Sequence, residues 1–196
     1  MISPLPGEQE LLDRCAKGDT AAFGPLVTHY ETVIFNLAFR MLGNREDARD
    51  VAQETFVRAF RKLADFEGRA RFATWLYTIA VNQSRSQLRR RAAGMRKSEV
   101  QMSALDSNDD EHRYDPPGDD PAPDDRLRAQ EARGQIEQAI AELDEDARAI
   151  VVLRDIEELD YASIADVLGC SRGTVKSRLH RARCELRQKL TRLATR

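Results

Sequence analysis

Residues 161–186, YASIADVLGCSRGTVKSRLHRARCEL, decide how the rest of the chain is read. Asp160 stands just before them and suits the N-cap of a helix over YASIADVLG. Ile164, Val167 and Leu168 give that helix an apolar side, and the small Ala165 lets a second helix cross closely. Gly169 falls where a left-handed residue ends many helices, and Ser171 is an N-cap for the next one. Two helices joined by a short glycine-containing turn form the helix-turn-helix pattern.

The second helix sharpens this reading. At 3.6 residues per turn, Val175, Leu179, Ala182, Leu186, Leu190 and Leu193 form one apolar stripe. Opposite it lie Ser177, His180, Arg181, Cys184 and Gln188, flanked by Lys176, Arg178, Arg183 and Arg187. A row of hydrogen-bonding side chains between cationic shoulders matches a major groove. The row reaches base edges and the shoulders meet phosphates. An ordinary solvated helix mixes charges at pair spacing. Here Glu185 is the only acid among nine basic residues from Ser171 to Arg196, so the face is predicted to lie on DNA.

The same asymmetry runs through the chain. Its 196 residues carry a formal net charge of −2, with 33% charged residues, 6% aromatic and a mean hydropathy of −0.57. Arg85 to Lys97 holds six basic residues and no acid, and Asp106 to Asp125 holds nine acids and one arginine. Two positive segments flanking a negative one point to nucleic acid more than the total charge does. No apolar run reaches the roughly 18 residues of a spanning helix, and MISPLPGEQE has neither part of a signal peptide. Residence in the cytoplasm is expected. Cys15, Cys170 and Cys184 are odd in number and lack metal-ligand spacing, so neither a disulfide framework nor a zinc site is predicted. No cluster of carboxylate, histidine or nucleophile falls on an ordered element, so the chain reads as a non-enzyme without cofactor or small-molecule substrate.

Towards the N-terminus the pattern is helical throughout. Phe23, Leu26, Val27, Tyr30, Val33, Ile34, Leu37, Ala38 and Met41 share one stripe, with Asp19 as a cap candidate. Pro25 would disturb a helix interior, so this helix is expected to start late or to bend there. Gly43-Asn44 ends one helix and starts another, whose stripe is Ala48, Val51, Ala52, Phe56, Ala59, Phe60 and Leu63. Asp47, Asp50, Gln53, Glu54, Arg58 and Arg61 occupy its opposite face. After a turn at Phe66-Glu67-Gly68, a further helix is predicted from about Phe72 to Arg91. The lone Trp75 on its apolar stripe reads as core. Between the modules, DSNDDEHRYDPPGDDPAPDD has four prolines and little to bury, which predicts a flexible tether. Its Asp109, Asp110, Glu111 and His112 are metal-ligand types without preorganised geometry. Helical pattern resumes near Leu127, with two helices joined near Asp144. The fold class is therefore all-α: two small helical domains, residues 8–92 and 127–193, joined by a flexible acidic linker over 93–126.

DARDVAQETFVRAF, FATWLYTIAVNQSR and the helix-turn-helix stretch together resemble the extracytoplasmic-function (ECF) group of bacterial sigma factors. The resemblance implies a promoter-specificity subunit that binds core RNA polymerase and promoter DNA, duplex and melted, and that is held inactive by an anti-sigma factor. It places Asp47, Asp50, Val51, Gln53, Glu54, Phe56 and Phe60 in the segment that docks on the largest core subunit. It makes Phe66 to Thr74 the loop that captures a flipped minus-ten base, with Trp75 and Asn82 on the helix behind. Phe66, Arg69, Arg71 and Phe72 suit a stacking platform in a positive channel, and Arg85, Arg89, Arg90 and Arg91 suit phosphates. On the reading helix it assigns minus-thirty-five bases to Lys176, Ser177, His180 and Arg181, and phosphates to Arg172, Thr174, Arg178 and Arg183. It directs the linker towards the RNA exit channel, where nine acids would mimic RNA charge or serve as a plain spacer. The sequence departs from the family pattern at Asp144 and Ser171, where proline is frequent, and at Asp160 and Ala70, where serine is. The alternative is a dimeric helix-turn-helix regulator of operators, which needs a dimer surface that this two-module layout does not suggest.

Overall fold

The computed structural model describes the backbone of residues 2–98 and 123–194. The expected flexible acidic linker and its candidate metal ligands fall mostly on residues 99–122, outside the described residues. The described elements are helical: α1 (Glu8–Ala16), α2 (Phe23–Leu42), α3 (Arg45–Arg61), α4 (Phe72–Ser98), α5 (Pro123–Ala141), α6 (Glu145–Val151), α7 (Tyr161–Leu168) and α8 (Arg172–Ala194). Both helices that border the linker are longer than the sequence suggests, α4 reaching Ser98 and α5 starting at Pro123.

Helix starts follow from the capping residues. Asp19 caps a short 3-10 turn (Thr20–Ala22) through the amides of Ala21 and Ala22. That turn leads into α2 at Phe23, so Pro25 sits in the first turn, where its missing N–H costs nothing. Asn44 accepts from the Asp47 amide at the start of α3. Asp144 and Asp160 each accept from two amides at the starts of α6 and α7. Gly43 and Gly169, at φ 70° and 62°, end α2 and α7 in the left-handed conformation. After Gly169 the Cys170 amide returns to the Ala165 carbonyl at 3.0 Å, which closes a Schellman turn.

The N-terminal core comes from the faces of α2, α3 and α4: Leu26, Tyr30, Ile34, Leu37 and Met41 against Ala48, Ala52 and Ala59, and against Leu76, Tyr77 and Ala80. The C-terminal core gathers Ile140, Leu143, Ile150, Leu153, Leu159, Ile164, Val167, Val175 and Leu179. Between α6 and α7 the chain makes a π-helical turn (Val152–Ile156), and Glu158 takes φ 58°.

These cores are continuous with each other. Arg148 on α6 is only 8% exposed. Its guanidinium donates to the Ile140 carbonyl at 3.2 Å, the Leu143 carbonyl at 3.0 Å and the Ala141 carbonyl, and crosses to the Met41 carbonyl at the end of α2. Glu157 is buried beside α2 and α4. It accepts from the Tyr77 hydroxyl at 3.0 Å and pairs with Arg40 at 3.3 Å. Burial pushes its carboxyl above the ordinary value, while Tyr77 and Arg40 oppose the shift.

The Asp160 cap gives a direct test. Hydrogen bonds from the Ser163 and Ala162 amides hold its carboxyl below the ordinary value of 3.8. A depressed carboxylate contributes stability above its unfolded pKa and loses it as pH falls through the folded one. Asp160→Ala should cost about 1 kcal/mol in chemical denaturation near neutral pH, and Asp160→Asn, which still caps, only tenths. The Asn variant should also lack this group's share of the acid-induced loss below pH 3.8.

Candidate nucleic-acid interface

Helix α8 lies across α7, with Val175, Leu179 and Ala182 buried beneath it. Ser171 Oγ accepts from the Thr174 amide at 3.1 Å and lies 2.9 Å from the Thr174 hydroxyl, which fixes the helix start. Ser177, His180, Arg181, Cys184 and Gln188 are all exposed on the face away from the core, as their spacing predicts. Arg172, Lys176, Arg183 and Arg187 are exposed along its sides. Thr174 and Arg178 are half-buried. Arg178 turns inward and pairs with Asp146 at 3.4 Å. Arg183 is held by both oxygens of Asp155, which pushes its guanidinium above the ordinary value.

Two residues outside the predicted set shape this face. The Tyr161 ring lies between the Arg154 guanidinium, 5.1 Å from its centroid, and the Lys176 ammonium at 6.0 Å. That places a base-contact candidate over an aromatic face, the geometry of a cation–π contact. Tyr161 was legible as a helix residue, but nothing in its spacing marked it as a neighbour of Lys176.

The second candidate surface is the turn 66–71 and the start of α4. Arg69 and Arg71 are exposed, with Arg69 paired to Glu67, and Asn82 is exposed one turn beyond Thr78. Phe66 is half-buried, 5.2 Å from the Trp75 ring and 5.6 Å from Phe72. Trp75 is half-buried too, so it is part core and part surface. Phe72 departs from the expectation of a base platform. It is 1% exposed, packed on Tyr30, and supports Phe66 from beneath. Arg89 is exposed and Arg85 is half-buried.

Along α3, Asp50 and Gln53 are exposed and Glu54 pairs with Arg58. Asp47 is half-buried, accepting from Gln87 at 2.9 Å and pairing with Arg91. Val51 and Phe56 depart from the expected docking surface, because both belong to the core. The apolar stripe claims them, since a helix cannot present one position to both sides. Phe60 goes the other way. It is 41% exposed, resting edge-on against Phe23. Between α2, α3 and α5 runs a groove of about 1270 Å³, with Phe35, Phe39, Phe56, Ile136 and Ile140 in its walls and Arg40, Arg45, Arg49 and Arg133 around it. Ile136 is 47% exposed there.

Residues 26–94 match the model for Sigma-70 region 2, and residues 133–186 the model for Sigma-70, region 4. The RNA polymerase sigma-H factor of Pseudomonas aeruginosa is 36% identical over 176 residues, covering 90% of each chain. The ECF RNA polymerase sigma factor SigW of Bacillus subtilis is 35% identical, covering 89% of this chain and 91% of SigW. Among solved structures, CnrH in complex with the cytosolic domain of CnrY superposes with a TM-score of 0.65 at 27% identity, covering 93% of this chain and 96% of that one. The chain belongs to the sigma-70 family of promoter-specificity factors, and within it to the ECF group. Proteins of this family are in general not enzymes. Among the described residues there is no cluster able to hold a metal ion, and no helix is long and apolar enough to cross a membrane.

The split between buried and exposed aromatics can be measured. Phe72→Ala should cost about 3–5 kcal/mol of stability in urea unfolding, as for other buried phenylalanines. Arg69→Ala, on the open side of the same turn, should stay within about 0.5 kcal/mol.

Proposed function

We propose that this ECF sigma factor divides promoter recognition between its modules. Residues 8–92 dock on core RNA polymerase and hold the melted minus-ten strand, and residues 127–193 read the minus-thirty-five duplex. The observation that carries the reading is the face of α8. Ser177, His180 and Arg181 form an exposed row free of acids, with Lys176, Arg172 and Arg183 at its sides. His180 and Arg181 are one turn beyond Lys176 and Ser177, so the four side chains span neighbouring base pairs in a major groove.

On α3, the exposed Asp50, Gln53 and Phe60 are the docking positions, with Asp47 and Glu54 beside them. Phe66, Arg69, Arg71, Asn82, Arg85 and Arg89 form the minus-ten surface, a short aromatic platform leading into a run of cations. The protein works where the polymerase is, in the cytoplasm, and has no catalytic step of its own. An anti-sigma factor is the expected inhibitor. The solved relative CnrH is in complex with the cytosolic domain of CnrY. The apolar groove between α2, α3 and α5 suits an amphipathic helix of that kind of partner.

The purified chain should co-elute with bacterial core RNA polymerase in a one-to-one complex, and the holoenzyme should select a defined promoter class from a random library. Arg181→Ala should relax the choice at one or two base pairs, costing about 1–3 kcal/mol of discrimination. Arg172→Ala should weaken binding evenly across sequences and reduce the salt slope by about one. Failure to join the polymerase would overturn the reading.

A further inference from the structure

Tyr161 opens α7 beside the start of the reading helix. The Arg154 guanidinium lies over its ring, 5.1 Å from the centroid, and the Lys176 ammonium lies over it at 6.0 Å. The backbone under the ring is fixed from two directions. Asp160 caps the helix start through the Ala162 and Ser163 amides, each at 2.8 Å. The Leu159 carbonyl accepts from Arg154 at 2.7 Å, and the Leu159 side chain is buried. Tyr161 is half-buried, whereas Lys176 is exposed. The ring therefore belongs to the frame of the domain, while the long stem of Lys176 stands in solvent.

The difference matters because lysine is a poor reader by itself. Its ammonium is a compact charge on a flexible stem, without the planar fork that gives arginine its direction. Left alone beside DNA, such a charge is drawn to phosphates, which carry no sequence information. A ring face within about 6 Å offers the ammonium a competing attraction at one fixed place. The neighbouring cations are already committed. Arg154 is anchored on the Leu159 carbonyl, and Arg183, two turns along the same side of α8, is held by both oxygens of Asp155. Lys176 is the cation that the ring can direct.

We propose that Tyr161 is a specificity-determining positioning residue: its ring holds the Lys176 ammonium against the body of the domain, in register with one base pair, so that Lys176 selects guanine there instead of spreading over neighbouring phosphates. The proposal rests on the reading of α8 in the preceding subsection and deepens it with a residue that need not touch a base. Guanine presents N7 and O6 as acceptors in the major groove, which an ammonium donor suits. The effect comes from the ring face and not from the hydroxyl. It changes which base is chosen and leaves the number of neutralised phosphates alone.

The test uses the full chain assembled with bacterial core polymerase, selecting from promoters randomised over the minus-thirty-five element. Lys176→Ala should abolish a guanine preference at one position. Tyr161→Leu and Tyr161→Met remove the ring at similar apolar bulk, and whichever melts like the wild type carries the test. Either should weaken that same preference about twofold to fivefold, the span of an exposed cation–π contact. Tyr161→Phe should keep it. In the Lys176→Ala background, loss of the ring should change nothing further at that position. The salt slope of duplex binding should stay constant across the Tyr161 series. NMR of the wild-type chain should show the Lys176 ε-methylene protons moved upfield by the ring. Ordinary lysine shifts there overturn the proposal, as does a preference unchanged without the ring or weakened equally at every position. A loss in Tyr161→Phe equal to that in Tyr161→Leu also overturns it, and marks a hydroxyl contact to phosphate instead. If Lys176→Ala leaves every preference intact, the reading of α8 falls and this proposal with it. A preference that needs Lys176 but not the ring strikes the role of Tyr161 alone.

Discussion

Burial of the Arg148 guanidinium is the constraint on which the arrangement of this molecule depends. A buried cation must have its donors satisfied, because desolvation otherwise outweighs what packing gains. Arg148 meets the requirement through carbonyls at the end of α5, in the α5–α6 turn and at the end of α2, with the Asp144 charge opposing part of the burial cost. The Met41, Ile140 and Ala141 carbonyls lie in the last turns of their helices, where the helix itself offers no i+4 amide, and the Leu143 carbonyl lies in the turn between α5 and α6. The same contact therefore finishes two helices, orders the turn that launches α6, and fixes one module on the other. Burial lowers the guanidinium pKa, yet arginine stays charged, so the pin does not switch with physiological pH.

The contacts around this pin are graded by burial. Glu157 with Tyr77 and Arg40 lies deep, and the pairs of Asp146 and Glu145 lie near the surface. Deep pairs are costly to break singly. Surface pairs are weak, salt-sensitive and easily exchanged for other charges. The module boundary thus has a firm centre and an exchangeable edge, and the edge lies at Arg85 and Arg89 of α4 and Arg178 of α8.

The sequence made the local rules plain. Asp19, Asn44, Asp144 and Asp160 cap as their residue types predict, Gly43 and Gly169 terminate helices, and the stripe of α8 is buried at Val175, Leu179 and Ala182. The exposed row of α8 follows from the same periodicity. What periodicity does not carry is contact across sequence distance. Arg148 with Met41 spans 107 residues and Arg85 with Asp146 spans 61. No helical wheel registers either. Phe72, Val51 and Phe56 show a related limit. A family segment assigns a role to a whole stretch, whereas a helix gives each position one direction only, and these three point inward.

Phe60 departs from its stripe in the opposite direction, Ile136 is exposed as well, and their placement has a physical reading. Phe60 lies near the end of α3, and Ile136 lies on α5 one turn before the buried Ile140. Phe60 sits beside the buried Ala59 but turns outward with its edge on Phe23, and Ile136 turns outward although Ile140 is buried. A bulky apolar side chain left in water gains nothing for the isolated fold, and contiguous exposed apolar surface marks sites that a partner covers. The groove between α2, α3 and α5 takes in Ile136 and ends near the exposed end of α3. A second body seated there would bury apolar surface that the closed chain leaves open.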